Sequence, residues 1–406
     1  MQSGVSDRRK GLTERTNQGG LLRMRIAGVE LSADLRLESV EWARLPGERL
    51  REAGRNARLG VHGKYPEPPV AVVRIGGIVG FGLSFIRKET AEGMIGTPVY
   101  EFFEENGAVK EPYRSLEFPL FDWLGKAAGK PVYDLFRRAD APSAADGVRI
   151  PCYDTSLYFD DLHLEDDPAA AEWMRREAEE GKSLGHRHFK IKVGRGARWM
   201  DPAAGLKRDI AVIRAVAEVA GPEGKVMIDA NNGYTLNQLK EVLRQTPDLY
   251  WVEEAFHEDR VLYEDLREWM AKHDIRAMIA DGEGDASPHL MDWAQAGVVD
   301  VVQYDIIVPG FSAWLGIGAK LDQCGALSAP HSYGTIIGNY VGGHLAGAIR
   351  GFQFVEWDEG DVAGVDRSAY RVEDGAVTIP NLPGFGLGLD LERFAKERAA
   401  SGWRIG

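Results

Sequence analysis

The sequence predicts an α/β protein organised around a (β/α) barrel, and three observations predict it. From Arg149 to Asp358, eight short β-branched runs alternate with amphipathic helical segments. Each run from the second to the eighth ends in an ionisable side chain, and strand C-termini are where such barrels carry their chemistry. No glycine-rich phosphate loop follows Tyr158, as a doubly wound open sheet would want after its first strand.

The strands are expected at Arg149–Tyr158, His188–Gly194, Lys225–Asn231, Leu249–Ala255, Arg276–Glu283, Val298–Ile306, Leu327–Ser332 and Gln353–Asp358. Between them, Asp209–Ala220, Leu236–Arg244 and Leu262–His273 show helical periodicity. Ahead of the barrel the chain reads as mixed α+β. Val70–Phe85 is strand-like but broken by glycines, and from Tyr113 the pattern turns helical. Gly54–Pro69, with Arg, His, Lys, Tyr and three prolines, reads as a mobile surface loop. Arg138–Gly147 reads as a linker. Residues 1–23 read as a disordered tail, with Met24 as a natural start. The expected divisions are therefore 1–23, 24–147, 148–360 and 361–406.

Composition narrows the function. With 49 Lys plus Arg against 62 Asp plus Glu, the net charge of −13 argues against nucleic acid or an anionic membrane as the partner. The longest nearly uncharged apolar stretch, Ile75–Ile86, is too short to span a bilayer, which needs about 20 residues. Two cysteines, Cys152 and Cys324, fit neither a disulfide framework nor a zinc site and read as free thiols in a reducing cytoplasm.

The rim residues carry the chemistry. The strand ends read Lys190-Ile191-Lys192, Asp229-Ala230-Asn231, Glu253-Glu254, Asp281-Gly282-Glu283, Tyr304-Asp305, Pro330-His331 and Val355-Glu356. So many charges around one mouth are costly to desolvate without a metal ion or substrate to organise them. Asp229, Glu253 and Glu283 come from three consecutive strands and make a hard oxygen site suited to Mg²⁺ or Mn²⁺, with Asp281 the alternative to Glu283. Lys190 and Lys192, two apart on a strand, share a face, and their mutual repulsion is expected to lower a pKa and poise one as a base. Asp305 and His331 end adjacent strands, close enough for the acid to orient the imidazole.

In this order and spacing the motifs resemble the enolase superfamily, in its mandelate racemase subgroup. The same resemblance covers Gly77-Ile78-Val79-Gly80-Phe81-Gly82, Asp122-Trp123-Leu124-Gly125-Lys126 and Pro131-Val132-Tyr133, and it runs from Met24 to the C-terminus. It implies a modified TIM (β/α)7β barrel with an N-terminal α+β capping domain and a C-terminal segment returning to that cap. It also implies that Asp229, Glu253 and Glu283 hold Mg²⁺, and that Lys192, with Lys190 as its partner, faces His331–Asp305 across the substrate. Glu356 would hydrogen-bond the developing enolate oxygen. Tyr153, Asn231, Arg58 and His62 are the expected substrate contacts. Two departures stand out: Ala255 replaces the usual Pro after the Glu-Glu pair, and three acids crowd the third ligand region. The activity implied is removal of the proton α to a carboxylate. Dehydration of a sugar acid to a 2-keto-3-deoxy acid is expected first, with racemisation or epimerisation as the alternative and a non-catalytic metal-binding barrel a distant one. A homo-oligomer is expected from the family.

Overall fold

The computed structural model describes residues 23–141 and 145–406. The expected tail lies outside the described residues, apart from Arg23, which opens the strand Arg23–Ile26.

All eight barrel strands form where the β-branched runs predict them. Val148–Leu157, His188–Lys192, Val226–Asp229, Trp251–Glu253, Met278–Asp281, Val301–Val302 and Leu327–Ser328 follow one another as parallel neighbours. The eighth, Val355–Trp357, pairs in parallel with the first, and a Ser328–Phe352 bridge joins it to the seventh. Seven helices fill the connections, the last of them the short Gly338–Gly342, which gives the (β/α)7β arrangement. Several helices start where a short polar side chain caps them. Asp166, Asp201, Thr235 and Asp259 each accept backbone N–H groups of the first turn, and Thr235 with Gln238 completes a capping box. No helix among the described residues is long and apolar enough to cross a membrane.

Period-2 alternation explains how the barrel lifts its polar residues to the rim. Tyr153, Met227, Trp251, Val301, Ala329 and Phe354 pack together in the barrel interior. Two residues further along the same strands, facing the same way, come Thr155, Asp229, Glu253, Gln303, His331 and Glu356. Phe189, Ile191 and Val193 point outward into the main core, so Lys190 and Lys192 point inward.

The cap is a four-stranded antiparallel sheet in the order Trp403–Ile405, Leu37–Arg44, Pro69–Ile75, Ile78–Leu83, covered by the helix Glu117–Ala128. The last strand of the chain is thus an edge strand of this sheet. The glycines that interrupt the Val70–Phe85 pattern have a packing cause. A Cβ on Gly80 would stand 2.2 Å from the Pro119 carbonyl oxygen, so the helix can approach only a bare backbone. Asp122 on that helix accepts from the Phe81 and Phe385 amides and from Lys126, which ties hairpin, helix and C-terminal segment together.

The Gly54–Pro69 segment corrects its composition-based reading as a mobile surface loop. It is irregular, but Asn56 and Ala57 are buried, and the Ala57 methyl seats against Gly194 and Gly233 behind the second and third strands. Asn56 Oδ1 also accepts from the Arg58 and Leu59 amides. Polar composition hid this because the contact depends on two glycines distant in sequence.

Just past the second strand, Arg195 is fully buried between Asp161 and Asp209. It donates Nη2 to Asp161 at 2.6 Å and Nη1 to Asp209 at 2.7 Å, while Gly194 N–H and Tyr234 O–H complete Asp209. Arg195→Ala leaves two buried carboxylates without their counter-charge and is expected to cost about 3–5 kcal/mol. Denaturant unfolding checks this, and a loss below ~1 kcal/mol would show that the acids are relieved some other way.

Candidate active site at the barrel mouth

Around the mouth, Asp229, Glu253 and Glu283 offer one oxygen each, all within 4.8 Å of one another. The first two rise directly from strand ends. The third needs a turn. Asp281 alternates to the helix side, where the Tyr263 hydroxyl donates to it, and Gly282, at φ 131°, redirects the chain so that Glu283 enters the mouth. Register thus separates the two acids that sequence alone left as alternatives.

Lys190 Nζ donates to Glu253 Oε1 at 2.7 Å and lies 2.8 Å from Glu356 Oε1. Lys192 Nζ pairs with Asp229 Oδ2. His331 Nδ1 meets Asp305 Oδ1 at 2.5 Å, and its Nε2 lies 3.0 Å from Glu283 Oε2 and 3.7 Å from Glu356 Oε2. The expected pairing of Asp305 with His331 is therefore present.

The expected lowering of a lysine pKa is not. Burial does act downward on Lys192, but Asp229 and then Glu283 outweigh it together with the repulsion of Lys190, and the ammonium is held above its ordinary range. Counting only the two lysines omitted the carboxylates opposite them. His331 is likewise held well above its usual value, because Glu283 and Glu356 overcome the effect of burial. Glu356 also differs from an enolate donor. Burial opposes ionisation, yet Lys190 and His331 hold it down to about 2, and its oxygens accept from Thr155 Oγ1 at 2.7 Å and Ser332 N at 2.8 Å. A carboxylate in that state accepts hydrogen bonds and has none to give.

Glu254 is a fourth buried acid beside the trio. Burial, then the charges of Glu283 and Asp229, push it up to about 9, since four adjacent carboxylates cannot all ionise. Asn231, Asn232 and Glu254 all take left-handed φ values, at 42°, 62° and 41°. Such backbone strain concentrates at sites the surrounding fold over-determines.

Of the expected substrate contacts, His62 lines the main cleft, about 540 Å³ between cap and barrel, with Lys192, Glu283 and His331. Arg58 lines a second opening of about 440 Å³ on the Glu254 side. Tyr153 and Asn231 are placed differently. Tyr153 is fully buried in the barrel interior, its ring 5.3 Å from Lys190 Nζ. The Asn231 amide bridges Glu254 at 2.8 Å and Glu283 at 3.1 Å, so it orients acids. Sequence reasoning missed Gln303, which donates to Glu253 Oε2 at 2.9 Å. Its signal was an amide in the inward register of an apolar strand.

The residues fit a Mg²⁺ ion. The donors are hard oxygens, the cluster is buried, and the buried Oδ1 of Asn231 beside it has no hydrogen-bond partner.

The model of the family described as enolase C-terminal domain-like matches residues 173–393. The chain belongs to the enolase superfamily, in its mandelate racemase branch. This superfamily member is similar to a Geobacillus galacturonate dehydratase solved with D-galacturonate and 5-keto-4-deoxy-D-galacturonate. The two are 51% identical, with TM-score 0.89, over 93% of this chain and 100% of that one. It is also similar to a mandelate racemase/muconate lactonizing protein from Geobacillus sp. Y412MC10 solved with magnesium and tartrate. That match is 52% identical, with TM-score 0.90, over 92% and 98% of the two chains. Arabinonate dehydratase of Saccharolobus solfataricus is 26% identical over 297 residues, covering 70% of this chain and 71% of the relative.

Proposed function

We propose that this protein is a Mg²⁺-dependent sugar acid dehydratase acting on a hexuronate of the galacturonate type. It would remove the proton α to the carboxylate and the hydroxyl β to it, leaving a 2-keto-3-deoxy acid counted from the carboxylate. The observation that carries the reading is the placement of Lys192 and His331 on separate strands around the carboxylate trio, in a chain 51% identical to a galacturonate dehydratase.

Asp229, Glu253 and Glu283 would hold Mg²⁺, which supplies positive charge against the negative charge that grows on the substrate carboxylate as the α-proton leaves. Pairing a Lys or His base with Mg²⁺ is general to enolase-superfamily sites. Lys192 Nζ takes the α-proton. For that its ammonium must first lose the support of Asp229, which happens when that carboxylate is committed to the cation, and Lys190 then favours the neutral amine. His331, kept protonated beside Glu283 and Glu356, gives its Nε2 proton to the departing β-hydroxyl, which leaves as water. Asp305 fixes the imidazole through Nδ1. The enol that remains ketonises. The two free cysteines suit a cytoplasmic setting.

Mg²⁺-loaded protein incubated with D-galacturonate, arabinonate and a panel of other sugar acids tests this. A keto-deoxy product seen by NMR is expected for at least the hexuronate. Racemisation or epimerisation would instead show α-deuterium uptake with no water lost, and a panel in which no acid loses water sinks the dehydratase reading.

A further inference from the structure

The main cleft has a second end, away from the carboxylates. Lys192 Nζ stands 5.6 Å from the Tyr158 ring centroid, Tyr158 lies 5.4 Å from Tyr333, and Arg49 Cζ sits 4.9 Å over Tyr333. Two stacked rings thus separate the proposed base from a cap arginine that lines the same cleft. An arginine in such a place ordinarily suits a second carboxylate, which its fork binds bidentately.

Here that fork is already committed. Arg49 Nε donates to Asp358 Oδ2 at 2.9 Å and Oδ1 at 3.2 Å, Nη1 donates to the Gly63 carbonyl at 3.1 Å, and the two side chains are 6% and 1% exposed. Burial pushes Asp358 up to about 6, so at pH 8 it is a carboxylate and the pair is neutral. The neighbouring groups add no net charge. His62 gives its Nδ1 proton to the Gly54 carbonyl at 2.8 Å, and burial, with Lys192 and Arg49 nearby, keeps the ring below its ordinary pKa. Its Nε2 therefore carries a lone pair. The buried Tyr333 hydroxyl has no hydrogen-bond partner. At the rim, Arg44 and Glu67 oppose each other in sign.

We propose that this end of the cleft receives an uncharged hydroxyl or carbonyl terminus, and that Asp358, by neutralising Arg49, makes the chain prefer monocarboxylate over dicarboxylate sugar acids. The proposal rests on the sugar acid reading above and deepens it. Asp358 is a positioning residue, acting through Arg49. His62 Nε2 as acceptor and Tyr333 O–H as donor supply the polar complement that an uncharged terminus requires.

D-galacturonate and galactarate share a carbon skeleton and configuration and differ only at the far terminus, so they isolate the effect. Binding is measured by calorimetry at pH 8 on Mg²⁺-loaded protein. The wild type is expected to bind galacturonate about tenfold or more tighter than galactarate. Asp358→Asn, which frees the Arg49 charge, is expected to shift that ratio about tenfold toward galactarate. Arg49→Met/Asp358→Leu removes both charges together and keeps the wild-type ratio.

A wild type that binds the two acids alike overturns the proposal without any variant. A folded Asp358→Asn protein with an unchanged ratio overturns it too, as does a double variant that shifts as far as the single one. If neither acid binds the wild type, the proposal and the dehydratase reading both fall. Turnover is followed separately. Preferential binding of galacturonate without its dehydration would remove the dehydratase reading and leave the subsite standing.

Discussion

Lys192→Met is expected to lower kcat for dehydration by about 10³-fold or more while Mg²⁺ still binds, because general acid–base groups contribute ~10²–10⁴ each. The substitution keeps the apolar stem packed near Tyr158 and removes only the ammonium. Asp229 then loses its organic counter-charge, which leaves it more available to a cation. His331→Asn is expected to lower dehydration comparably, but the two variants part company in D₂O. If Lys192 takes the α-proton and His331 serves the leaving hydroxyl, His331→Asn still exchanges the α-proton of galacturonate without losing water. Lys192→Met does neither. The reverse pattern, exchange in Lys192→Met and none in His331→Asn, would transfer the initiating base to His331. Circular dichroism and Mg²⁺ titration of both variants separate chemistry from unfolding.

Much of this site was legible because a parallel barrel converts sequence period into position. Each of the eight strands carries a β-branched run, and the polar residue two past an inward apolar one arrives at the rim. Asp229 after Met227, Glu253 after Trp251 and His331 after Ala329 all follow that rule. Glu283 did not, because Gly282 breaks the alternation, and only the Gly-Glu resemblance pointed to it.

What stayed hidden depended on distance or on balance. Arg49 and Asp358 are 309 residues apart, so no local pattern joins a cap arginine to an acid past the eighth strand. Tyr153 looked like a mouth residue because the first strand is long, but its register sets it one layer below Thr155, in the interior. The lysine pKa came out with the wrong sign because a sum over charges was cut off after two members. Burial makes such truncation costly, since every neighbour within a few ångströms acts through a weakly screening medium.

The same balance predicts how cation binding depends on pH. Burial, with Asp229, Glu283 and Glu356 nearby, outweighs Lys190 and pushes Glu253 up to about 7, so near and below that pH this proposed ligand carries a proton. A cation must displace the proton, and one proton displaced per ion weakens apparent affinity about tenfold for each pH unit below 7. Above about pH 8 the carboxylate is already free, and affinity levels off. The direction follows from which state holds more protons: protein without the cation does, so acid favours it. Calorimetric Mg²⁺ titrations between pH 6 and 8.5, in two buffers of different ionisation enthalpy, read both the slope and the protons released. His331 should report the event as well. Glu283 is the strongest influence raising its pKa, and a cation that draws on the same carboxylate removes part of that support. Its NMR titration midpoint is therefore expected to fall by about one unit or more on adding Mg²⁺, which at 1.36 kcal/mol per unit is a modest share of one buried ion pair. Chelation should restore the higher midpoint and abolish dehydration together. A Mg²⁺ affinity that stays flat from pH 6 to 8, or a His331 midpoint indifferent to the ion, would mean that Glu253 and Glu283 do not share their charge between the cation and the basic side chains.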